Sequence, residues 1–336
     1  MIKLTHKKKK VEIPDKWDDL SPQQFVMVVK FALMVQAGEI DMLDFRRLIL
    51  RLLTAYKAPR RFTYWKHRED IESNLLNLAM MLKFPIVPVY TNPELLEVFT
   101  SDLRQILKTS FPFDIYEADY CRQLDMVGGD LKWRPEINHD FVRNMLPVIN
   151  CGFKNYYGPV FNLVENGSFE TDITTAEYFD ALDELQMYES SKNENYLHRF
   201  IATLYRPVRE EGYCAAKTSK LASKLAKIDN DTKNALLELW LWYSKVIQQH
   251  HLYSVFFIKG EQQNNGNPLG LSATLFALST DGFGSRDEIR SWPLTEFFNS
   301  LYYRLHTAVN QLRREGIDEF KISKELQLDL ETLNKL

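Results

Sequence analysis

Cysteine is scarce in this chain, which has only Cys121, Cys151 and Cys214 among its 336 residues. Their number is odd, they lie far apart, and no two of them form a CxxC pair. Neither a disulfide framework nor a cysteine zinc site fits that pattern. We therefore expect a protein of a reducing compartment, with no metal and no cofactor.

Long apolar runs are also missing. The run at residues 25–35 contains Lys30, and the run at residues 269–278 is too short for the ~20 residues that a membrane helix needs. Lysines fill positions 7–10, but no apolar core of ~7–15 residues follows them, so a secretory signal is not predicted. We expect a protein that stays inside a cell and makes no membrane contact.

The familiar enzyme motifs are absent as well. The chain has no GxxxxGK[ST] phosphate loop, no GxGxxG after a strand, no HExxH and no GxSxG. Residues 282–287 share only letters with the DFG triplet of kinases and are predicted to form a turn. We therefore predict a protein that is not an enzyme, and we assign no catalytic, cofactor-binding or metal-binding residue.

Histidines and carboxylates leave an enzymatic alternative open. His139 lies between Asn138 and Asp140, and His250 is followed by His251. Adjacent histidines near a helix end usually just complement the helix dipole. Four carboxylates share one predicted helix: Glu177, Asp180, Asp183 and Glu184. No basic partner is near them in sequence, so we interpret them as a solvated face.

Bulk composition is that of an ordinary folded protein. Hydrophobic residues make up 45% and charged residues 26%, and the net charge is -3. A net charge this small gives no global attraction to nucleic acid or to an anionic membrane. Any such binding has to come from a local patch.

The most informative positive feature is a structural device that occurs twice. In each copy an extended piece ending at proline leads into a helical hairpin that opens with a capping box, in which a hydroxyl and a Gln or Glu satisfy the first helical amides. The first copy comprises Pro14, Leu20, Ser21, Gln24, Phe25, Leu53, Tyr56 and Lys57. The second, about 150 residues later, comprises Pro159, Ile173, Thr174, Glu177, Tyr178, Leu204, Tyr205 and Arg206.

The remaining pattern predicts a mainly α fold with repeated helical-hairpin modules and a small β-hairpin component. A short strand is expected at residues 10–13, and a β-hairpin is expected at 147–159, where Cys151-Gly152 can turn the chain. Aromatic residues of two later helices are predicted to be core. We divide the chain into an N-terminal helical module with its leading strand, residues 1–140, and a β-hairpin with a larger helical module, residues 141–336.

Residues 57–68 are the best candidate for nucleic-acid binding. The segment combines five positive charges and three aromatics with no acid, a mixture that binds phosphates and stacks on bases. The candidate contacts are Lys57, Arg60, Arg61, Tyr64, Trp65, Lys66 and Arg68. The alternative is that the aromatic side chains pack in a hydrophobic core while the basic side chains cover the edge of that core. The lysines at 7–10 allow the same two interpretations, partner binding or a solvated tail.

A second basic feature is a predicted lysine stripe. Lys217, Lys220, Lys224 and Lys227 are spaced so that a helix aligns them opposite its apolar residues. An acidic partner can dock on such a stripe. An amphipathic surface helix explains the spacing equally without any partner.

Several short segments together carry a resemblance to known proteins: Ile13-Pro14, residues 17–25, residues 156–159, Ile173-Thr174, Glu177-Tyr178 and residues 204–207. In these segments, and over about two thirds of its length, the chain resembles proteins encoded in bacteriophage or prophage structural modules. It implies a tail-assembly or virion-associated protein whose partners are other phage structural or assembly proteins, in the cytoplasm of the bacterial host or in the virion itself. These motifs are helix starts, turns and core residues, so the resemblance transfers no functional residue. A homo-oligomer is compatible with it.

Three functions therefore stand as hypotheses, the third of which is an enzyme that uses His139, His250 or His251. The preferred one is a non-enzymatic phage tail or virion assembly protein that acts through protein-protein contacts. The alternative is a nucleic-acid-binding protein that uses the basic and aromatic segment at 57–68.

Overall fold

The computed structural model describes residues 2–6, 9–14, 16–54, 86–90, 133–164, 167–257, 271–326, 328 and 330–335. The chain forms two compact units. Unit 1 comprises residues 1–141 and 230–238, and unit 2 comprises residues 142–229 and 239–336. The predicted fold class is confirmed, because helices dominate and the described strands form small antiparallel pairs.

Two strand pairs belong to unit 1. Strand β1 (Ile2–His6) pairs with β2 (Lys9–Ile13), which confirms the strand predicted before Pro14. Strand β3 (Ile86–Tyr90) pairs with β4 (Trp133–Ile137), with Ile86 opposite Ile137. The second pairing joins segments more than forty residues apart, which local sequence patterns do not reveal.

The first helical hairpin consists of α1 (Pro22–Gln36) and α2 (Met42–Thr54). The predicted capping box is present: the Gln24 amide donates to Ser21 Oγ at 3.3 Å, and the Ser21 amide donates to Gln24 Oε1 at 2.9 Å. Gly38 follows the end of α1 with a φ of 73°, a conformation that glycine adopts without strain. Asp41 caps α2 by accepting the Asp44 amide at 2.7 Å.

An aromatic triad forms the centre of the core of unit 1. Trp17 lies in a short 3-10 turn, Phe25 is on α1, and Phe141 follows β4. Their rings meet edge to face with centroid separations between 5.1 and 5.7 Å, and all three side chains are buried. Such contacts add to the stabilisation that burial alone provides.

Unit 2 begins with short strands. The predicted β-hairpin is confirmed as β5 (Val148–Cys151) and β6 (Lys154–Tyr157). A second pair consists of β7 (Phe161–Leu163) and β8 (Phe169–Thr171). The segment before β5 lines up beside β7, because the Asn144 amide donates to the Phe161 carbonyl and the Leu163 amide to the Val142 carbonyl.

Nine α-helices and a 3-10 turn (Ser254–Phe257) follow in the described part of the chain. The helices are α3 (Thr175–Ser191), α4 (Glu194–Leu204), α5 (Ala215–Leu225), α6 (Asn230–Gln249), α7 (Leu271–Thr280), α8 (Arg286–Ser291), α9 (Leu294–Arg314), α10 (Glu319–Leu326) and α11 (Leu330–Lys335). Helices α3 and α4 form the second predicted hairpin, again opened by a capping box, here between Thr174 and Glu177. Among the described helices, none has both the length and the apolar character that spanning a membrane requires.

The core of unit 2 is rich in aromatic residues, as predicted. Trp240 lies against Tyr178 and Phe200, while Phe161 stacks on Tyr243 at a centroid distance of 4.4 Å. Six of the residues predicted to be core on α6 and α9 are buried: Trp240, Trp242, Tyr243, Ile247, Phe297 and Phe298. The other four, Val246, Leu301, Tyr302 and Leu305, are only half-buried. These rings hold the helices and the small strands of unit 2 together.

Candidate protein-interaction site

The lysine stripe lies on α5 and just beyond it. Lys217, Lys220 and Lys224 are exposed on the helix. Because α5 ends at Leu225, Lys227 is exposed in the turn that follows. The opposite side of the helix carries the buried residues Thr218, Ala222 and Leu225. The predicted separation of lysines from the buried face is therefore present.

Most of this positive charge is not neutralised by the residues that the structure describes. Lys217 Nζ lies 3.6 Å from Glu211, but both side chains are largely exposed, so the pair contributes little. No described carboxylate forms an ion pair with Lys220, Lys224 or Lys227. Residues 215–228 contain no aspartate or glutamate.

The β5–β6 hairpin presents a fully exposed aromatic ring at its tip. Cys151 pairs with Lys154, so Gly152 and Phe153 are the two loop residues, rather than the predicted Cys-Gly turn. Gly152 has a φ of 64° and Phe153 does not have a positive φ, which is the pattern of a type II′ turn. The ring of Phe153 has no covering contact in unit 2 and is the most exposed large hydrophobic side chain of the described residues.

The hairpin is anchored at the end opposite its tip. Ile149 and Tyr156 are opposite one another in the register, and both side chains are buried. The backbones of Tyr157 and Arg206 exchange two hydrogen bonds, at 2.8 and 3.2 Å, and the Gly158 amide donates to the Pro147 carbonyl. Phe153 therefore stands on a supported turn whose strands are fixed to the core.

The tip and the lysine stripe meet at one contact. The Cys151 thiol donates to the Lys224 carbonyl oxygen at 3.2 Å, which places the hairpin loop beside the last turn of α5. Lys154, next to Phe153, is exposed as well. We call Phe153, Lys154, Lys220, Lys224 and Lys227 the hairpin–helix patch. The spacing of the lysines on α5 predicts their alignment, whereas the exposure of Phe153 depends on the hairpin register.

A buried ionic cluster lies in the same unit, where α3 begins and α4 ends. Glu177 is completely buried, and its Oε1 lies 2.9 Å from Arg206 Nη2 and 3.0 Å from Arg209 Nη1. Its Oε2 accepts the Thr174 amide at 2.9 Å. Arg209 also binds Asp172 with two hydrogen bonds, at 2.8 and 3.0 Å. Burial raises the pKa of the Glu177 carboxyl, although Arg209 and Arg206 act in the opposite direction.

The interpretation of the α3 carboxylates as a solvated face is therefore wrong for most of them. Besides Glu177, Asp180 accepts a hydrogen bond from the Tyr213 hydroxyl at 2.7 Å, and Glu184 is paired with Arg199. Their partners follow on α4 and in the segment after it, so sequence proximity to α3 did not reveal them. Only Asp183 of the four is exposed.

The histidines occupy local packing roles. His139 Nε2 lies 2.6 Å from Glu238 Oε2, and the His139 ring meets Phe141 edge to face within unit 1. His250 stacks on Tyr253 in unit 2 at a centroid distance of 4.1 Å. Within the described residues, no group of three or more His, Cys, Asp or Glu side chains is arranged to hold a metal ion.

An open groove of about 450 Å³ lies along the start of α9. Its lining includes Phe283, Glu296, Asn299 and Tyr303. Among the described residues that line it, Glu296 alone carries a charge, so they form no charged cluster.

The nucleic-acid candidates of the sequence fall outside the described residues. This applies to the whole segment 57–68, and thus to Lys57, Arg60, Arg61, Tyr64, Trp65, Lys66 and Arg68, and also to positions 7 and 8. Lys9 and Lys10 belong to β2. The assignment of segment 57–68 and of the lysines at 7–10 to nucleic-acid binding remains a prediction from sequence.

Comparison of the chain with models of protein families, with curated proteins and with solved structures gave no match.

Proposed function

We propose that the protein is a non-enzymatic component of phage tail or virion assembly that acts through protein-protein contacts. The observation that carries the protein-binding part is the hairpin–helix patch. In it an exposed aromatic ring stands on an anchored turn beside lysines that form no ion pair with any described carboxylate. Exposed aromatic residues held in place are the usual anchors of protein interfaces. The phage context comes from the resemblance to proteins of phage structural modules.

Those residues of unit 2 that carry the resemblance belong to the frame that supports the patch, whereas Ile13-Pro14 and residues 17–25 belong to unit 1. Tyr156 is buried on β6, and Gly158 packs on Tyr205. Thr174 and Glu177 form the capping box of α3, and Glu177 is joined to Arg206. The resemblance is therefore one of scaffold, which is what proteins that share an assembly context but bind different neighbours are expected to retain.

The environments of the titratable groups favour a non-enzymatic role. Glu177 is enclosed by two guanidinium groups, so its carboxylate is not accessible to a substrate. His139 is hydrogen-bonded to Glu238 and packed on Phe141. A general acid or base needs to reach the reacting group directly or through one water.

A gene disruption tests this function. The gene is deleted from the phage or prophage that carries it, the lytic cycle is induced, and particles are counted by negative-stain electron microscopy. We expect tailless or incomplete particles, restored by the gene supplied in trans. Normal numbers of complete, infectious particles would contradict the proposal.

Nucleic-acid binding by residues 57–68 is the second candidate, favoured by the five positive charges and three aromatics of that segment. Phosphate contacts make affinity fall steeply as salt increases. An electrophoretic mobility assay compares the wild type with Arg60→Gln/Arg61→Gln at about 50 and about 200 mM salt, a range over which binding through phosphate contacts weakens strongly. Weak binding that both proteins share would remove this candidate.

A further inference from the structure

We infer that the hairpin–helix patch is the docking site for an acidic protein segment that also carries an apolar side chain. This inference rests on the proposed protein-binding function and specifies the chemistry of the partner. The apolar side chain would cover Phe153, and carboxylates on either side of it would face the lysines.

The charge of the patch selects an acidic partner. Residues 150–155 and 215–228 together contain five lysines and no aspartate or glutamate, in a chain whose net charge is -3. Only Lys217 of these has a carboxylate within ion-pair distance among the described residues. Complementary charge steers a partner to such a surface and fixes its register.

Phe153 supplies an anchor of low conformational cost. The type II′ turn and the buried Ile149–Tyr156 pair hold its backbone before any partner binds. An aromatic side chain buries ~150–250 Å² when it is covered, which is a large share of a peptide interface. A single exposed apolar residue is ordinary, but here it is fixed at the edge of an unneutralised lysine cluster.

A protein segment fits this surface better than nucleic acid does. Single-stranded nucleic acid is bound by aromatic side chains on which successive bases stack, within a groove that follows the backbone. The patch has one aromatic at a hairpin tip, and its basic residues are all lysines rather than the arginines that recognise phosphate with two hydrogen bonds. One apolar anchor with surrounding carboxylates matches its geometry.

The test uses fluorescence anisotropy with two labelled 15-residue peptides. The first alternates Glu and Asp with Leu and Ile, and the second has Gln and Asn in place of the acids. We expect the full-length protein to bind the acidic peptide at least about tenfold more tightly than the neutral one, with an affinity that falls as salt increases. Failure to bind the acidic peptide would overturn the inference.

Three variants locate the binding. Phe153→Ser and Lys220→Gln/Lys224→Gln are each expected to weaken binding of the acidic peptide by at least about tenfold. Lys321→Gln/Lys324→Gln removes two exposed lysines from α10 of the same unit and is the matched control, with less than about a twofold change expected. Because the replaced side chains are exposed, unchanged thermal unfolding verifies the fold. Equal binding by all four proteins would contradict the proposed site.

Two further measurements separate this inference from the function on which it rests. The first measures binding of a labelled 15-base-pair DNA duplex. If the duplex binds more tightly than the acidic peptide, and the same patch variants lose that binding, the ligand of the patch is nucleic acid and the inference of an acidic protein segment is wrong. Co-purification from the native host compares the wild type with the patch variants. If both retain the same protein partners, the inference fails while the proposed function stands; if the wild type has no protein partner, the proposed function itself fails.

Discussion

Gly158 lies directly against the ring of Tyr205. A Cβ atom on Gly158 would stand 2.5 Å from both Cε1 and Cζ of that ring, closer than carbon atoms approach in folded proteins. The Tyr205 hydroxyl in turn donates to the Leu146 carbonyl oxygen at 2.7 Å. The end of the β5–β6 hairpin is thereby fixed to the end of α4, and the absence of a side chain at position 158 is what permits the contact.

Gly158→Ala is expected to destabilise unit 2. The added methyl group forces the buried Tyr205 ring or the hairpin backbone to move, which costs about 1–3 kcal/mol in an overpacked site. Urea unfolding followed by tryptophan fluorescence measures the change. A loss below the error of that measurement would show that the contact is not tight.

A double-mutant cycle identifies the cause. In a Tyr205→Leu background the ring is gone, so Gly158→Ala should cost much less than it does in the wild type. An equal cost in both backgrounds would point to backbone conformation at position 158 instead of the ring.

Glu177→Gln is expected to be severely destabilising. The amide retains a hydrogen-bond acceptor for Thr174, but Arg206 and Arg209 lose their shared buried carboxylate. A buried ion pair stabilises little overall because desolvation offsets the attraction, whereas removing one partner leaves an uncompensated charge and costs about 3–5 kcal/mol.

Glu288→Gln provides the matched control for Glu177→Gln. Glu288 plays the same capping-box role at Ser285 and is solvent-exposed. Chemical denaturation of both variants should show a much smaller loss for Glu288→Gln. Similar losses would mean that capping, rather than the buried charge, accounts for the effect at Glu177.

His250 should make unit 2 less stable in mild acid. Burial and the neighbouring His251 lower the pKa of His250 below its usual 6.5. The unfolded chain therefore takes up the proton more readily, and stability decreases as the pH falls from above 6.5 towards the lower folded-state pKa. Urea unfolding at a series of pH values should give a weaker pH dependence for His250→Gln than for the wild type. An unchanged pH dependence in that variant would contradict this role of His250.

Ile322→Ala should loosen the C-terminal helices without unfolding the rest of unit 2. Val309, Ile322 and Leu333 form a small separate cluster in which α10 and α11 pack on α9. Replacing a buried isoleucine with alanine lowers the free energy of unfolding by about 2–5 kcal/mol. Hydrogen exchange should accelerate in α10 and α11 and stay unchanged in α3. The control Lys324→Ala, exposed on the same helix, should leave exchange unaltered; uniform acceleration in Ile322→Ala would indicate one cooperative core.

Local chemistry explains which parts of the fold were predictable. The capping boxes at Ser21 and Thr174 and the β-hairpin at 147–159 depend on residues a few positions apart, and each was confirmed. The buried aromatic residues of α6 and α9 followed from their density on helices. Such features depend mainly on residues that are close together in the sequence.

Long-range partners explain what was missed. The carboxylate of Glu177 meets Arg206 and Arg209 about thirty residues later, and β3 meets β4 only after more than forty residues. Phenylalanine is a residue type expected in a core, and only the hairpin register places Phe153 at an exposed tip. The lysine stripe of the candidate site could therefore be predicted from the sequence, whereas its exposed aromatic residue could not.

The most direct test of the account is co-purification of the tagged full-length protein from its native host, with and without nuclease, followed by mass spectrometry. We predict that structural or assembly proteins of the same phage gene cluster co-purify and remain bound after nuclease treatment. Partners that disappear with nuclease, or recovery of nucleic acid alone, would contradict a protein-binding assembly role and favour the segment at 57–68.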